Sequence, residues 1–200
     1  MRHMVDLCAG LGGASEAMIQ DPNWNVLRID NNPLLIDVLN MVLMDVKTVR
    51  GRVRQYWDAS IDLIWCSPPC TDFSGGFNSP KSKAARSPEG LDSYEPDLDI
   101  LMDCLEIIKI VQPKYWVIEN VVGSIRYFAE ILGEPRQIIG PYVLWGNFPF
   151  LDIDASKITK KTEKSSSPHP LRSNRRALVC YEVSNALKKA IEFQHSIFDY

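Results

Sequence analysis

The stretch "MVDLCAGLGGASEAMIQ" (residues 4–20) decides the fold. "MVDLC" has the composition of a short buried strand, "AGLGG" supplies small residues for a tight turn, and "ASEAMIQ" begins a helix. Strand, glycine turn and helix in that order open a parallel α/β sheet, and the segments that follow keep the alternation. "NVLRID" (25–30) reads as a second strand, Pro33 suits the first turn of a helix through "LLIDVLN" (34–40), and "VLMDV" (42–46) reads as a third strand. A helix is expected over 49–57. The run Ile61 to Cys66 is nearly all hydrophobic, as a central parallel strand buried on both faces should be. A helix from Asp97 to Val111, apolar at 98, 101, 105 and 108, precedes the strand "KYWVIE" (114–119) and a helix over 121–132. Strands are expected at "YVLWG" (142–146) and "ALVCYEV" (177–183), and a last helix at "NALKKAIEF" (185–193). The pattern predicts an α/β fold with a doubly wound, mostly parallel sheet.

At 200 residues and 46% apolar content, the chain is expected to form one well-cored domain with appendages. Its divisions are a core over 1–150, interrupted by a Ser-, Pro-, Gly- and Lys-rich loop at 71–96, a basic segment over 151–176, and a C-terminal strand and helix over 177–200 that complete the core. No apolar stretch approaches the roughly 20 residues of a membrane-spanning helix. The N-terminus enters a glycine turn rather than a signal-peptide core, so a soluble, cytoplasmic protein without membrane partners is expected. Five cysteines without a C-x-x-C pair indicate neither a disulfide framework nor a zinc site, and no metal is expected. The net charge of −3 is unevenly spread: from Ala155 to Arg176 seven basic residues face Glu163 alone, a balance of +6 that leaves −9 for the rest. Such a block is either a solvated flexible stretch or a surface for nucleic acid.

The glycine turn lets the backbone approach a ligand closely. Gly10-x-Gly12 lacks the third glycine of a nicotinamide-dinucleotide fingerprint, since residue 15 is serine. Asp30 closes the second strand, where an acid accepts hydrogen bonds from ribose hydroxyls, and Asp45 closes the third. Either aspartate alone could simply cap a helix. Together, after a glycine turn, they point to an adenosine-type ligand.

In "DLIWCSPPCTDFS" (62–74) two prolines stop a strand and fix the chain direction, because each ring locks φ and removes a backbone donor. Cys70 is thereby held at a rigid corner beside the carboxyl end of a central strand, where ligands of open α/β sheets gather. Against the alternative of an inert buried thiol stands Glu119, a carboxylate that ends the apolar run "YWVI" and could have a raised pKa.

"DLCAGLGG" (6–13), "SPPC" (67–70) with a following "FS", and "ENV" (119–121) resemble the first, fourth and sixth signature motifs of DNA cytosine carbon-5 methyltransferases, in family order and at similar spacing. The resemblance covers about residues 4–132. It implies an S-adenosylmethionine-dependent methyltransferase (Rossmann-like) fold, with Cys70 as nucleophile and Glu119 as its partner. It further implies a cofactor site built from Asp6, Cys8, Gly10, Gly12, Gly13, Asp30, Asn31, Asp45 and Pro68, with DNA as substrate. The chemistry asks for these residue types: a thiolate adding at carbon 6 of cytosine makes carbon 5 nucleophilic, and a carboxyl holding a proton at ring nitrogen 3 disperses the charge. The target base must be flipped out of the duplex, and the loop after Cys70 could close over it, with Gly75 and Gly76 as hinges and Lys81, Lys83 and Arg86 on phosphates. Lys160, Lys161, Arg172 and Arg176 are further candidates for DNA contact.

This chain departs from the family pattern in places. Cys8 stands where phenylalanine is common, which leaves adenine stacking to Trp24 or Trp65, and Thr71 replaces a glutamine after the nucleophile. The arginine-rich eighth motif is best matched by "SNRRA", with Arg175 as its catalytic arginine and Arg172 or Arg136 as substitutes. A large target-recognition region is missing; about 25 basic residues take its place, so a partner protein could supply specificity. The alternatives are an RNA carbon-5 enzyme, an amino-group methyltransferase, whose Ser/Asn/Asp-Pro-Pro-aromatic motif "SPPC" fails at its last position, and a non-catalytic nucleic-acid-binding protein on the same scaffold.

Overall fold

A computed structural model describes residues 1–56, 60–76, 78–158 and 166–198. Among these, strands β1 (Arg2–Leu7), β2 (Trp24–Asp30), β3 (Met41–Leu43), β4 (Leu63–Cys66), β5 (Tyr115–Val121), β6 (Gln137–Ile139) and β7 (Tyr142–Asn147) form a single sheet. The strand order is β3-β2-β1-β4-β5-β7-β6. Strands β1 to β5 pair in parallel, while β7 runs antiparallel to both β5 and β6. The chain winds outward from β1 to β3 and then returns to build the other half from β4, so the order reverses between β1 and β4. A crevice opens at such a reversal, outside the carboxyl ends of the strands.

Strand periodicity divides the core between two faces. Leu63 and Trp65 of β4 point into one cluster, with α1 (Glu16–Ile19) and α7 (Tyr181–Phe198). Ile64 and Cys66 point into the other, with α2 (Val46–Tyr56), α4 (Asp99–Val111) and α5 (Ile125–Leu132). All four side chains are fully buried, which explains the unbroken hydrophobic run. Two short helices, α3 (Pro80–Ala84) and α6 (Arg172–Ala177), bury none of their side chains.

Several local expectations are corrected. The helix expected over 34–40 is only a 3-10 turn at Pro33–Leu35, because Leu34, Ile36 and Leu39 are exposed and only Leu35 is buried, so a helix would have no apolar face to support it. The third strand stops at Leu43, since Asp45 already caps α2 by accepting from the Lys47 amide at 2.8 Å. The strand expected at "ALVCYEV" is absent: Tyr181 begins α7, in which Val183, Leu187 and Ile191, spaced by four, are fully buried against the sheet and α1. β6 was not anticipated; it forms a hairpin with β7 through Gly140 at φ 57°. The loop at 71–96 carries α3 and a 3-10 turn at Gly90–Ser93, and the Tyr94 hydroxyl donates to the Asp72 carbonyl at 3.1 Å.

Candidate active site

The glycine turn and the end of β2 form a cradle. The Gly10 amide donates to Asp30 Oδ2 and the Asn32 amide to Asp30 Oδ1, each at 2.9 Å, so one carboxylate holds the turn and its own strand end together. Gly10 lies at φ 53°, and a side chain there would meet only Asn174, at 3.5 Å, leaving the turn open for close approach. Asn174 of α6 accepts from the Asn32 side chain at 3.3 Å, which brings the C-terminal region over the cradle. Asn31 and Asp45 are exposed beside it and joined by a 3.1 Å hydrogen bond. Sequence reasoning missed Asn174, whose partner lies 142 residues away.

Asp6 and Gly13 belong under the cradle rather than in it. Asp6 is fully buried; its Oδ2 accepts from Ser15 Oγ at 2.6 Å, while Oδ1 has no hydrogen-bond partner. Burial pushes its pKa up to about 7, against the Ser15 hydrogen bond and the Arg28 charge, which pull it down. Arg28, only 2% exposed on β2, donates to Ser15 Oγ at 2.8 Å, to the Gly12 carbonyl at 2.8 Å and to Glu16 Oε2 at 2.9 Å. A side chain at Gly12 would collide with this guanidinium, and one at Gly13 with the Val179 carbonyl that leads into α7.

The second half of the site is the corner after β4. The β4–β5 register sets Cys66 opposite Ile118, so Ser67 stands beside Glu119. Ser67 Oγ donates to Glu119 Oε2 at 2.9 Å and accepts from Trp65 Nε1 at 2.7 Å. Glu119 is 7% exposed. Next along β5, the Asn120 side chain donates to the carbonyl of Pro68 at 3.0 Å. Beyond the prolines the half-buried Cys70 starts a turn, its carbonyl accepting from the Phe73 and Ser74 amides at 3.1 and 2.9 Å. A small open cleft adjoins this corner, lined by Pro68, Pro69, Thr71 and Asp72 on one side and by Ile100 and Leu101 of α4 on the other. Phe73 lies directly on Gly123, where a side chain would strike the Phe73 carbonyl. Ser67 and Asn120 stand in the "SPPC" and "ENV" motifs without a role assigned there, because their partners depend on strand register, and Gly123 carried no signal because its neighbour Phe73 lies in a distant loop.

Other candidates are placed elsewhere. Lys81 Nζ donates to the Gly123 carbonyl at 2.9 Å and lies 5.8 Å from the Tyr127 ring centroid, which ties it to the protein rather than to a phosphate. Lys83 and Arg86 are exposed. Trp24 cannot stack on a cofactor: it starts β2, at the opposite end of the sheet, with Nε1 on Glu192 Oε1 at 2.8 Å. Trp65 has no exposed surface for stacking. The Cys8 thiol is turned to Cys104, a hydrogen bond that, with burial, holds it well above the ordinary thiol range; Cys104 in turn bonds Cys66. Arg136 donates to the Phe148 carbonyl at 2.5 Å and stacks on that ring, so it serves the β6–β7 edge. Arg172, Arg175 and Arg176 are exposed on α6, the helix whose Asn174 meets the cradle. Lys160 and Lys161 lie outside the described residues. Among the described residues no helix is long and apolar enough to cross a membrane.

A doubly wound sheet with a glycine cradle and a thiol at its reversal point defines a class of α/β proteins that bind ligands at strand ends. The family is specific: the sequence profile of the C-5 cytosine-specific DNA methylases matches residues 2–126, and the chain belongs to that family. It is similar to the Type II methyltransferase M.DdeI of Desulfomicrobium norvegicum, with 24% identity over 156 residues that cover 69% of this chain and 34% of that protein. It is also similar to the "Probable DNA (cytosine-5)-methyltransferase" of Frog virus 3, with 26% identity over 121 residues, 58% of this chain and 52% of the viral protein. The chain thus spans about a third and about half of the length of these curated relatives. A solved prophage-encoded protein of E. coli, titled a "putative DNA modification methyltransferase", aligns with a TM-score of 0.47 and 18% identity over 74% of this chain and 47% of its own.

Proposed function

We propose that the chain transfers a methyl group from S-adenosylmethionine to carbon 5 of cytosine in DNA through a covalent adduct with Cys70. The observation that carries this reading is the pairing of two strand ends: Cys70 sits at a corner held by Asn120, and the neighbouring residue of the same strand is the buried Glu119. The cradle fits the cofactor, since Gly10 leaves its backbone accessible, Asp30 ends β2 and the exposed Asp45 lies two residues past β3 beside Asn31. Gly10, Gly12, Asp30, Asn31, Asp45 and Pro68 would hold it, with Asn174 closing over them. Bound there, S-adenosylmethionine supplies an electrophilic methyl group.

The chain's own residues do the rest. The Cys70 thiolate forms a bond to carbon 6 of a flipped cytosine, and the electron pair of the 5,6 double bond moves toward carbon 5 and ring nitrogen 3. Glu119 holds a proton at nitrogen 3, so charge need not build up on the ring. Carbon 5 takes the methyl group, which would leave S-adenosylhomocysteine, then loses its proton to solvent, and the returning electron pair expels Cys70. Arg175, Arg172 and Arg176 extend a basic surface beside the cradle, and Lys83 and Arg86 supply further positive charge for the DNA backbone. Sequence discrimination would then come from a segment or partner protein beyond these residues.

Incubating the purified chain with isotopically labelled S-adenosylmethionine and either DNA or RNA, followed by nucleoside analysis, tests the reading. We expect 5-methylcytosine from DNA. An N-methylated base, methylation confined to RNA, or no product at all would each replace it with a different function.

A further inference from the structure

The reaction proposed above requires a proton on a defined oxygen of Glu119, and two residues outside the reacting set decide which oxygen carries it. We infer that Ser67, oriented by Trp65, is a positioning residue that fixes the side of the Glu119 carboxyl on which the proton resides; this rests on reading Glu119 as the acid.

The argument is one of hydrogen-bond polarity. An indole N–H can only donate, so Trp65 Nε1, 2.7 Å from Ser67 Oγ, occupies a lone pair of that hydroxyl. The hydroxyl hydrogen must then go elsewhere, and its acceptor among the described residues is Glu119 Oε2 at 2.9 Å. The chain of donation therefore runs from Trp65 through Ser67 to Glu119. Oε2 is committed as an acceptor in both charge states, so a proton added to the carboxyl is carried by Oε1. The fold leaves little freedom to alter this. Trp65 and Ser67 are two residues apart and emerge on one face of β4, the β4–β5 register places Ser67 against Glu119, and the Ser67 amide is anchored on the Leu7 carbonyl at 3.1 Å. Trp65 is fully buried, so its N–H has no solvent alternative.

A donor to the charged form favours that form, so removing the Ser67 hydroxyl should make Glu119 titrate at higher pH and lose its preference for one protonated oxygen. The test is a carboxyl-carbon NMR titration of protein labelled with 13C at glutamate Cδ, with the Glu119 signal assigned by its loss in Glu119→Gln. Ser67→Ala should move the midpoint upward by about one to two pH units. Ser67→Thr, which keeps the hydroxyl, should restore the original midpoint. Trp65→Phe, which keeps a ring but removes the N–H, should give a smaller upward move. An unmoved midpoint in Ser67→Ala, or in Trp65→Phe should the alanine variant not fold, overturns the inference. The titration needs no turnover, so a moved midpoint in a chain that makes no 5-methylcytosine upholds the wiring and rejects the function. In an active chain, the Ser67→Ala loss should fall on kcat rather than on KM for DNA.

Discussion

At the scale of single residues, the proposed nucleophile and the proposed cofactor cradle are separate, and their variants should separate too. Cys70→Ala is expected to abolish methyl transfer while S-adenosylmethionine affinity, measured by calorimetry, stays within about two-fold, because most of the cradle hangs on the ends of β1 and β2 and Cys70 is not among the residues proposed to hold the cofactor. Asp30→Ala should instead weaken cofactor binding by about ten-fold or more, since it removes the acceptor of two backbone amides as well as a ligand to the ribose. Asp6 carries a pH signature of its own. A buried acid whose pKa is raised to about 7 binds more protons folded than unfolded between roughly pH 4 and pH 7, so stability falls as pH rises through that window and levels off above it. Asp6→Asn should flatten this dependence; the difference in unfolding free energy between the two proteins, from denaturant titrations at several pH values, should change by up to about 1.4 kcal/mol per pH unit. The places of Asp30 and Glu119 were legible because each ends a strand's apolar run, and that of Cys70 because two prolines follow such a run. The partners of Arg28, Ser67 and Asn120 were not, although the last two stand in the quoted motifs, because each partner lies across a strand, and register is not written in a single strand's residues.

At the scale of elements, the loop after Cys70 is fastened to the turn after β5. Phe73 lies on Gly123, Lys81 reaches the carbonyl of Gly123, and Tyr127 offers its ring to Lys81. Gly123→Ala should therefore cost about 1–3 kcal/mol of stability through overpacking. Lys81→Ala should leave the fold intact but speed amide exchange over residues 79–86, measured by hydrogen–deuterium exchange with mass spectrometry; unchanged exchange would show that Phe73 alone fastens the loop. The central strands were read correctly from hydrophobic runs, since burial on both faces leaves no other pattern. The misread elements share a cause. "LLIDVLN" has a helix's composition but no surface to cover, and "ALVCYEV" has a strand's composition but a helix's spacing once Val183 is aligned with Leu187 and Ile191. In both, the tertiary partner decided.

At the scale of the whole molecule, a chain of net charge −3 can bind a polyanion only through a local concentration of positive charge. If residues 155–176 and the Lys83–Arg86 edge make that surface, DNA affinity should fall steeply with salt. Removing Lys160 and Lys161 together should flatten the plot of log affinity against log salt by about 1.8, two phosphate contacts' worth, and weaken all sequences alike. An unchanged slope would move DNA binding elsewhere on the protein. Charge asymmetry was visible in the sequence; the approach of α6 to the cradle was not, because it depends on Asn174 meeting Asn32 from the far end of the chain.

The thiols described around the cradle also bear on chemical labelling. A hydrogen bond to Cys104 and burial push the Cys8 thiol up, a hydrogen bond to Cys66 and burial push up Cys104, and burial raises Cys66 and Cys180. Alkylating reagents must reach the sulfur as a thiolate, so the fully buried Cys66 and Cys104 should resist modification in the folded protein. A haloacetamide or maleimide should then tag the folded protein only among the half-buried Cys8, Cys70 and Cys180, which peptide mapping of the labelled sites checks.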